Sequence, residues 1–444
     1  MSMKKLNITF CSFPDYDSNA KALYEYMKET YQGKMNFVWI VNEEDMVGVL
    51  KEKGIRAILM GTEEFKEYIK TTDVFFTTHA NLTGDKTEDS LYVELWHGIS
   101  SKKLGFMINN ISKHDLEWFQ HLSEVLDYII VPSEFWAVIF ANRFHVDLKQ
   151  ILPIGYPKLH MIERKNGKKN LSKVIHEDVR TYEKIIFYTP TFRTGCGRNT
   201  EMGFGNHILN LKPYQEKELS EYLEKHNYLL CLKLHPSEES DFLKDFQDQK
   251  YIKLLKNDQI KKEGFVLYDF LDAADILITD YSSLGIEFLY LDKPVIYLNT
   301  DEKEYMESRG ICYNDFDFWT SSNGVSTLPE VLKKIDEYQG LKQLPKELQE
   351  KKKLWFDHIE DGGCKAICDY FFTKEGKLRS SVKPVVNANR RAKQLLEQVS
   401  FYEEKSKHYQ ELYEQKEQEL QAMIHSKGWQ MLEKMRKIKN KIHK

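Results

Sequence analysis

A chain of 444 residues is too long for one ordinary core, and at about 150 residues per domain it predicts two or three units. Its 41% hydrophobic content is that of a globular protein, and a net charge of −4 leaves no basic footprint, so no nucleic-acid partner is expected. No stretch approaches the roughly 18 apolar residues of a membrane span, and the run Leu6–Phe13 is too short for a signal-peptide core, so the expectation is a cytoplasmic chain whose membrane contact is peripheral.

Short apolar runs at Leu6–Phe13, Met35–Val41, Arg56–Met60, Val74–Thr77, Leu91–Trp96, Tyr128–Val131 and Ile151–Ile154 read as strands. Helical patterns such as Ala20–Thr30 and Glu134–Arg143 lie between them. A polar, lysine-rich stretch, Glu163–Asn170, reads as a linker, and the pattern restarts with strands at Ile185–Tyr188, Tyr228–Leu234, Tyr251–Leu255, Ile276–Thr279 and Pro294–Leu298. Alternating strand and helix implies right-handed crossovers and parallel sheets covered on both faces. The expected fold is α/β, with two doubly wound Rossmann-like domains facing a cleft, over residues 1–165 and 175–384, and a helical tail over 385–444.

In the tail, Ala392, Leu395, Val399, Tyr402, Tyr409, Tyr413, Leu420 and Met423 recur at steps of three and four, a heptad stripe interrupted at Ser406 and Lys416. A homo-oligomer formed through 388–424 and a single amphipathic helix packed on its own body are both open. The end, 426–444, sets Trp429, Leu432, Met435 and Ile442 among Lys and Arg, which suits a helix lying on an anionic membrane surface; a solvated basic end of a coiled coil is the other reading. The six cysteines, Cys11, Cys196, Cys231, Cys312, Cys364 and Cys368, are dispersed as reduced thiols would be. Cys364 and Cys368 are four apart but lack a second pair at zinc spacing, and no Asp-x-Asp motif ends a strand, so neither a metal nor a cofactor is expected.

In doubly wound sheets ligands bind outside the carboxyl ends of the strands, so the residues just after each strand are the candidates for chemistry. Four clusters stand there. Trp96-His97-Gly98 presents an imidazole able to take a proton near neutral pH, although a lone His-Gly pair is more often the mark of a structural histidine. Thr189-Pro190-Thr191-Phe192-Arg193 ends in a guanidinium whose fork matches phosphate oxygens, or serves a surface ion pair. Lys233-Leu234-His235-Pro236 offers a second histidine, in a cleft or in a buried turn. Thr279-Asp280-Tyr281-Ser282-Ser283, with Glu287 one turn on, supplies hydroxyls and N–H groups at a helix start, for an anion or as an ordinary cap.

Taken in order, these clusters resemble the CDP-glycerol glycerophosphotransferase family of teichoic-acid and capsule polymer synthesis. The resemblance rests on Trp96-His97-Gly98 with Lys102-Lys103-Leu104-Gly105, Pro132-Ser133-Glu134-Phe135, Gly155-Tyr156-Pro157, Thr189–Arg193, Lys233–Pro236, Leu277–Ser283, Lys293-Pro294-Val295 and Arg309-Gly310, and covers roughly residues 90–315. Asp17-Ser18-Asn19-Ala20-Lys21 fits more loosely. The resemblance implies a GT-B-type enzyme, with an acceptor domain first and a nucleotide-donor domain second, that moves glycerol phosphate from CDP-glycerol to a hydroxyl of a lipid-linked or polymeric acceptor and releases CMP at the inner face of a bacterial membrane. It implies His97 as general base, His235, Arg193, Ser282, Ser283 and Arg309 around the donor's pyrophosphate, and Asp280 and Glu287 near the phosphate loop or the ribose. The family commonly carries Thr-Pro after His-Gly; Ile99-Ser100 here departs from it and points to an altered acceptor or to ribitol phosphate. A GT-B glycosyltransferase using a nucleotide sugar is the nearest rival, and a catalytically inactive scaffold is a second.

Overall fold

The computed structural model describes residues 5–191, 209, 213–235, 239, 246–308, 310–320, 323–341, 343–357, 359–385, 388–425, 428, 431 and 434. Within residues 1–386, which form one compact unit, the chain builds two parallel sheets. The first has seven strands: β1 (Asn7–Cys11), β2 (Asn36–Val41), β3 (Ala57–Leu59), β4 (Val74–Thr77), β5 (Leu91–Glu94), β6 (Tyr128–Ile130) and β7 (Ile151–Leu152), in the order β3-β2-β1-β4-β5-β6-β7. The second has six: β8 (Lys184–Tyr188), β9 (Tyr228–Leu232), β10 (Ile252–Leu254), β11 (Ile276–Thr279), β12 (Val295–Leu298) and β13 (Gly324–Val325), in the order β10-β9-β8-β11-β12-β13. In each the order reverses at the first strand of the series, the doubly wound arrangement, and the reversal opens a crevice at the strands' carboxyl ends. The two-residue edge strand β13 has no apolar run to announce it.

Six helices shape the packing of the sheets, the site and the tail: α1 (Ser18–Thr30), α2 (Glu134–Phe144), α3 (Pro213–His226), α4 (Ser283–Phe288), α5 (Cys364–Phe371) and α6 (Ala388–His425). The strands are buried on both faces, as parallel strands under helices must be. One buried cluster runs through both sheets, from Cys11, Val38 and Phe75 of the first to Ile185, Phe187 and Leu277 of the second, so the two halves share apolar contacts. The opposite face of the first sheet, with Ile8, Phe10 and Phe76, packs with Leu23 and Met27 of α1 and with Ile367 and Phe371 of α5. The opposite face of the second, with Ile186, Leu230 and Ile278, packs with Leu219 and Leu223 of α3. Residues 364–372 thus return to the first sheet after the second is complete, and the stretch 175–384 is not packed wholly on the second.

The stretch Glu163–Asn170 is not an open linker. A helix at Leu159–Glu163 runs almost directly into another at Gly167–Ile175, which buries Leu171 and Val174. Gly167 donates its N–H to Asp272 Oδ2 at 3.1 Å, and a Cβ there would stand 2.1 Å from Asp272 Oδ1, so only glycine allows this approach. Residues 387–444 form a second unit, in which α6 is 38 residues long and leaves Leu395, Val399, Tyr402, Tyr409, Tyr413 and Leu420 at least half exposed. Among the described residues no helix is long and apolar enough to cross a membrane.

Candidate active site

The turn after β5 is built around a buried carboxylate. Glu94, fully buried, accepts from Thr77 Oγ1 (2.6 Å) and Ala80 N (2.9 Å) through Oε2, and from Trp96 N (2.9 Å) through Oε1. It therefore ties the end of β4 to the end of β5. Both turns hold non-glycine residues in the left-handed region, Ala80 at φ 51° and Trp96 at φ 52°, a conformation that persists only when surroundings enforce it. Burial pushes the Glu94 carboxyl up to about 7, with the three donors pulling the other way. On the far side of the turn Asn19 of α1 donates to the carbonyls of Leu95 (3.0 Å) and Trp96 (2.8 Å).

His97 is held between these turns. Its Nδ1 lies 3.0 Å from the carbonyl of Thr78. A carbonyl only accepts, so Nδ1 carries the proton and Nε2 keeps its lone pair. The ring stacks on His79, with centroids 3.9 Å apart and planes 10° apart. Burial lowers His97 to about 4; the Thr78 carbonyl raises it, and Lys158, Lys102 and Arg143 lower it further. Burial also takes His79 down to about 2, so at neutral pH both imidazoles are uncharged.

The backbone beside His97 is tied across to the second sheet. Lys158 Nζ donates to the carbonyl of His97 (2.9 Å), pairs with Glu287 Oε1 (2.9 Å) and bonds the Tyr268 hydroxyl (2.8 Å). The Tyr156 hydroxyl donates to Glu287 Oε1 (2.6 Å) and accepts the N–H of Ile99 (3.0 Å). Tyr268 donates to Glu287 Oε2. Gly98 lies against α4: a Cβ on it would stand 3.0 Å from Ser283 Oγ.

Beyond this turn residues 101–103 meet residues 310–312 in an antiparallel bridge, with Cys312 N to Ser101 O at 2.6 Å and Lys103 N to Gly310 O at 3.2 Å. Arg143, wholly buried at the end of α2, underpins it by donating to the carbonyls of Ser100 and Lys102 (2.9 Å). Ile99 and Ser100, the departure from the family pattern, are buried within this support.

The expected donor-side residues have varied placements. Ser282 caps α4, accepting from Leu284 N at 3.3 Å, and Ser283 begins that helix opposite Gly98. Asp280 is buried and accepts the Thr191 N–H through both oxygens, 2.8 and 3.0 Å, which braces the turn after β8 against the end of β11. His235 is exposed just past β9, yet partial desolvation of its ring lowers its pKa, with Lys233 and Lys102 adding to the effect. Lys102 acts on His97 as well, so one ammonium stands near both histidines. Burial brings neighbouring Lys233 down to about 8. Glu287, expected near the donor's phosphate or ribose, is 0% exposed, with Lys158 and Tyr156 on Oε1 and Tyr268 on Oε2; one turn on from Ser283, it shares that residue's face of α4 toward Gly98. Arg193 and Arg309 lie outside the described residues, although their neighbours Thr191 and Gly310 border the site.

Among the described residues, the His/Asp/Glu group close enough to share an ion is His160, Glu163 and Asp361. Each has a protein partner: His160 pairs with Asp361, and Glu163 takes the Tyr290 hydroxyl. Sequence reasoning overlooked Glu94, His79, Arg143 and Lys158. Arg143 left a signal, a lone cation on the buried face of an apolar helix, and Lys158 directly follows the Gly155-Tyr156-Pro157 motif.

The model of the family described as CDP-glycerol:poly(glycerophosphate) glycerophosphotransferase matches residues 1–372. A teichoic acid glycerol-phosphate primase of Bacillus subtilis (strain 168) is 32% identical over 317 residues, covering 67% of this chain and 76% of its own length. A teichoic acid ribitol-phosphate primase of Bacillus spizizenii is 28% identical over 241 residues, 51% of this chain and 56% of its own. Among solved structures, the wall teichoic acid polymerase TagF superposes with a TM-score of 0.65 at 19% identity, covering 83% of this chain and 88% of that one, a likeness of fold.

Proposed function

From the premise that the chain belongs to the CDP-glycerol:poly(glycerophosphate) glycerophosphotransferase family, we propose that it transfers glycerol phosphate from CDP-glycerol to a hydroxyl of a growing or priming polymer of the teichoic-acid kind. The observation that carries this reading is the state of His97: neutral, with Nδ1 committed to the Thr78 carbonyl and Nε2 free of that bond. The acceptor oxygen attacks the phosphorus that bears glycerol, and Nε2 of His97 takes the hydroxyl proton. A new phosphodiester P–O bond forms as the anhydride bond to CMP breaks, and the proton later passes from His97 to water. Charge grows on the transferring phosphoryl group and on departing CMP, where preorganised donors lower the barrier. Arg193, Arg309, His235 and the Ser282 and Ser283 hydroxyls supply those donors, and Asp280 holds the Thr191 backbone that leads into Arg193. These cationic and hydroxyl groups do the electrostatic work without a resident metal.

The acceptor is a lipid-linked or polymeric polyol phosphate or saccharide, and the enzyme works at the inner face of the membrane, its basic end 426–444 on anionic lipid. That end lies largely outside the described residues, and its composition is the support for this reading. The exposed stripe Leu395, Val399, Tyr402, Tyr409, Tyr413 and Leu420 supports pairing of α6 with a second copy. Full-length protein should float with anionic vesicles, not with zwitterionic ones, and detach at high salt; equal flotation with both removes the membrane role.

The reaction is tested by CMP release from CDP-glycerol, CDP-ribitol and a panel of nucleotide sugars, each with a glycerophosphate-primed lipid. Turnover with CDP-glycerol is the expected result. Preference for CDP-ribitol moves the chain to the ribitol branch, and turnover with a nucleotide sugar alone overturns the reading.

A further inference from the structure

The Lys158–Glu287 pair is buried at 2% and 0% side-chain exposure, and its members come from opposite halves of the site, one beside β7 and the other on α4. A buried ion pair is poor evidence of stability, because taking both charges from water costs about what their attraction returns; its best-attested use is to set register. Here the register is specific. Lys158 holds the carbonyl of His97, and Tyr156, itself held by Glu287, holds the N–H of Ile99. The two peptide groups that flank Gly98 are therefore both fixed by one inter-sheet cluster, and Gly98 itself abuts Ser283. The Lys158 ammonium also sits 4.5 Å from the Tyr268 ring centroid and 4.9 Å from that of Tyr156, so the cluster has little freedom to shift.

We infer that Lys158 and Glu287, with Tyr156 and Tyr268, are positioning residues that register the His97 turn of the first sheet against the Ser282–Ser283 turn of the second. The inference rests on the reading of His97 as the base. Neither residue touches the reacting atoms; they set where the imidazole stands relative to the phosphate side. A base displaced by about 1 Å loses about 100-fold in rate, so the effect belongs in turnover and not in donor affinity.

The test compares Tyr156→Phe, Glu287→Gln, Lys158→Met and the double variant Lys158→Met/Glu287→Leu with wild type and His97→Asn, measuring kcat and KM for CDP-glycerol, the pH profile and urea stability. Tyr156→Phe keeps its ring and loses only the hydroxyl that holds Ile99; its kcat should fall about 10-fold with donor KM within twofold. Lys158→Met should move the acidic limb of kcat/KM to higher pH, because one of the cations facing His97 is gone while Lys102, Arg143 and the neutral His79 remain. The double variant should recover stability relative to either single charge deletion but not kcat, an outcome that a purely structural pair would not give. If charge deletions fail to fold, Tyr156→Phe alone decides. Inactive His97→Asn beside Tyr156→Phe at the wild-type kcat would overturn the positioning role and leave the base intact. Active His97→Asn would overturn the base, and the positioning inference with it.

Discussion

His97 and His235 both follow apolar strands, yet their surroundings are opposite. His97 is enclosed: Thr78 fixes one ring nitrogen, His79 covers one face, and Glu94, Asn19, Lys158 and Tyr156 hold the peptide groups around it. His235 stands exposed beyond β9 with Lys102 and Lys233 nearby. The difference matches two tasks. A base must keep one nitrogen aimed and unprotonated through every turnover, whereas groups that bind a nucleotide's phosphates must admit it and let CMP leave. Under the proposed roles, the enclosed histidine is the base and the exposed one lies on the donor side.

The largest expected effect breaks the enclosed side. His97→Ala should lower CMP release about 10²- to 10⁴-fold while calorimetric affinity for CDP-glycerol stays unchanged. His235→Ala should cost about 10²- to 10³-fold and, unlike the first, weaken donor binding in the same titration. Loss of donor affinity in the His97 variant instead would reverse the comparison. Glu94→Gln sets its one amide NH₂ against either the Ala80 or the Trp96 N–H, which bond different oxygens, and urea unfolding should show a loss of about 1–3 kcal/mol.

Titration sharpens the comparison further. A buried Glu94 at about 7 binds protons more readily folded than unfolded, where a Glu titrates near 4.5. Its contribution to stability is therefore complete below pH 4.5 and is lost as pH rises through about 7. The stability advantage of wild type over Glu94→Gln should be larger at pH 5 than at pH 8 by urea midpoint. His97, lowered to about 4, stays neutral above that value, so kcat/KM should show no His97 limb near 6.5.

Most of the scaffold was legible because parallel strands buried on both faces are continuous apolar runs, and these stop abruptly at Trp96-His97, Leu234-His235 and Thr279-Asp280. Placing those stops at the crevice followed from the doubly wound pattern alone. What stayed hidden depends on partners distant in the chain. Lys158 meets Glu287 from 129 positions away, Arg143 meets the carbonyl of Lys102 across 41, and Tyr156 meets Glu287 across 131, separations that leave no local period. Glu287 was named through the family resemblance, and its pairing with Lys158 shows only in the packing of α4. Glu163–Asn170 looked like a linker because its lysines are solvated, while the close approach of Gly167 to Asp272 is a tertiary fact.

The central claim is that an acceptor oxygen attacks phosphorus and CMP departs. ³¹P NMR of full-length protein with CDP-glycerol and a glycerophosphate-primed lipid, run with nucleotide analysis of the same sample, tests it most directly. CMP and a new phosphodiester signal are expected in equal amounts, both abolished in His97→Ala. Release of CDP, or CMP formed without any phosphodiester, would contradict it.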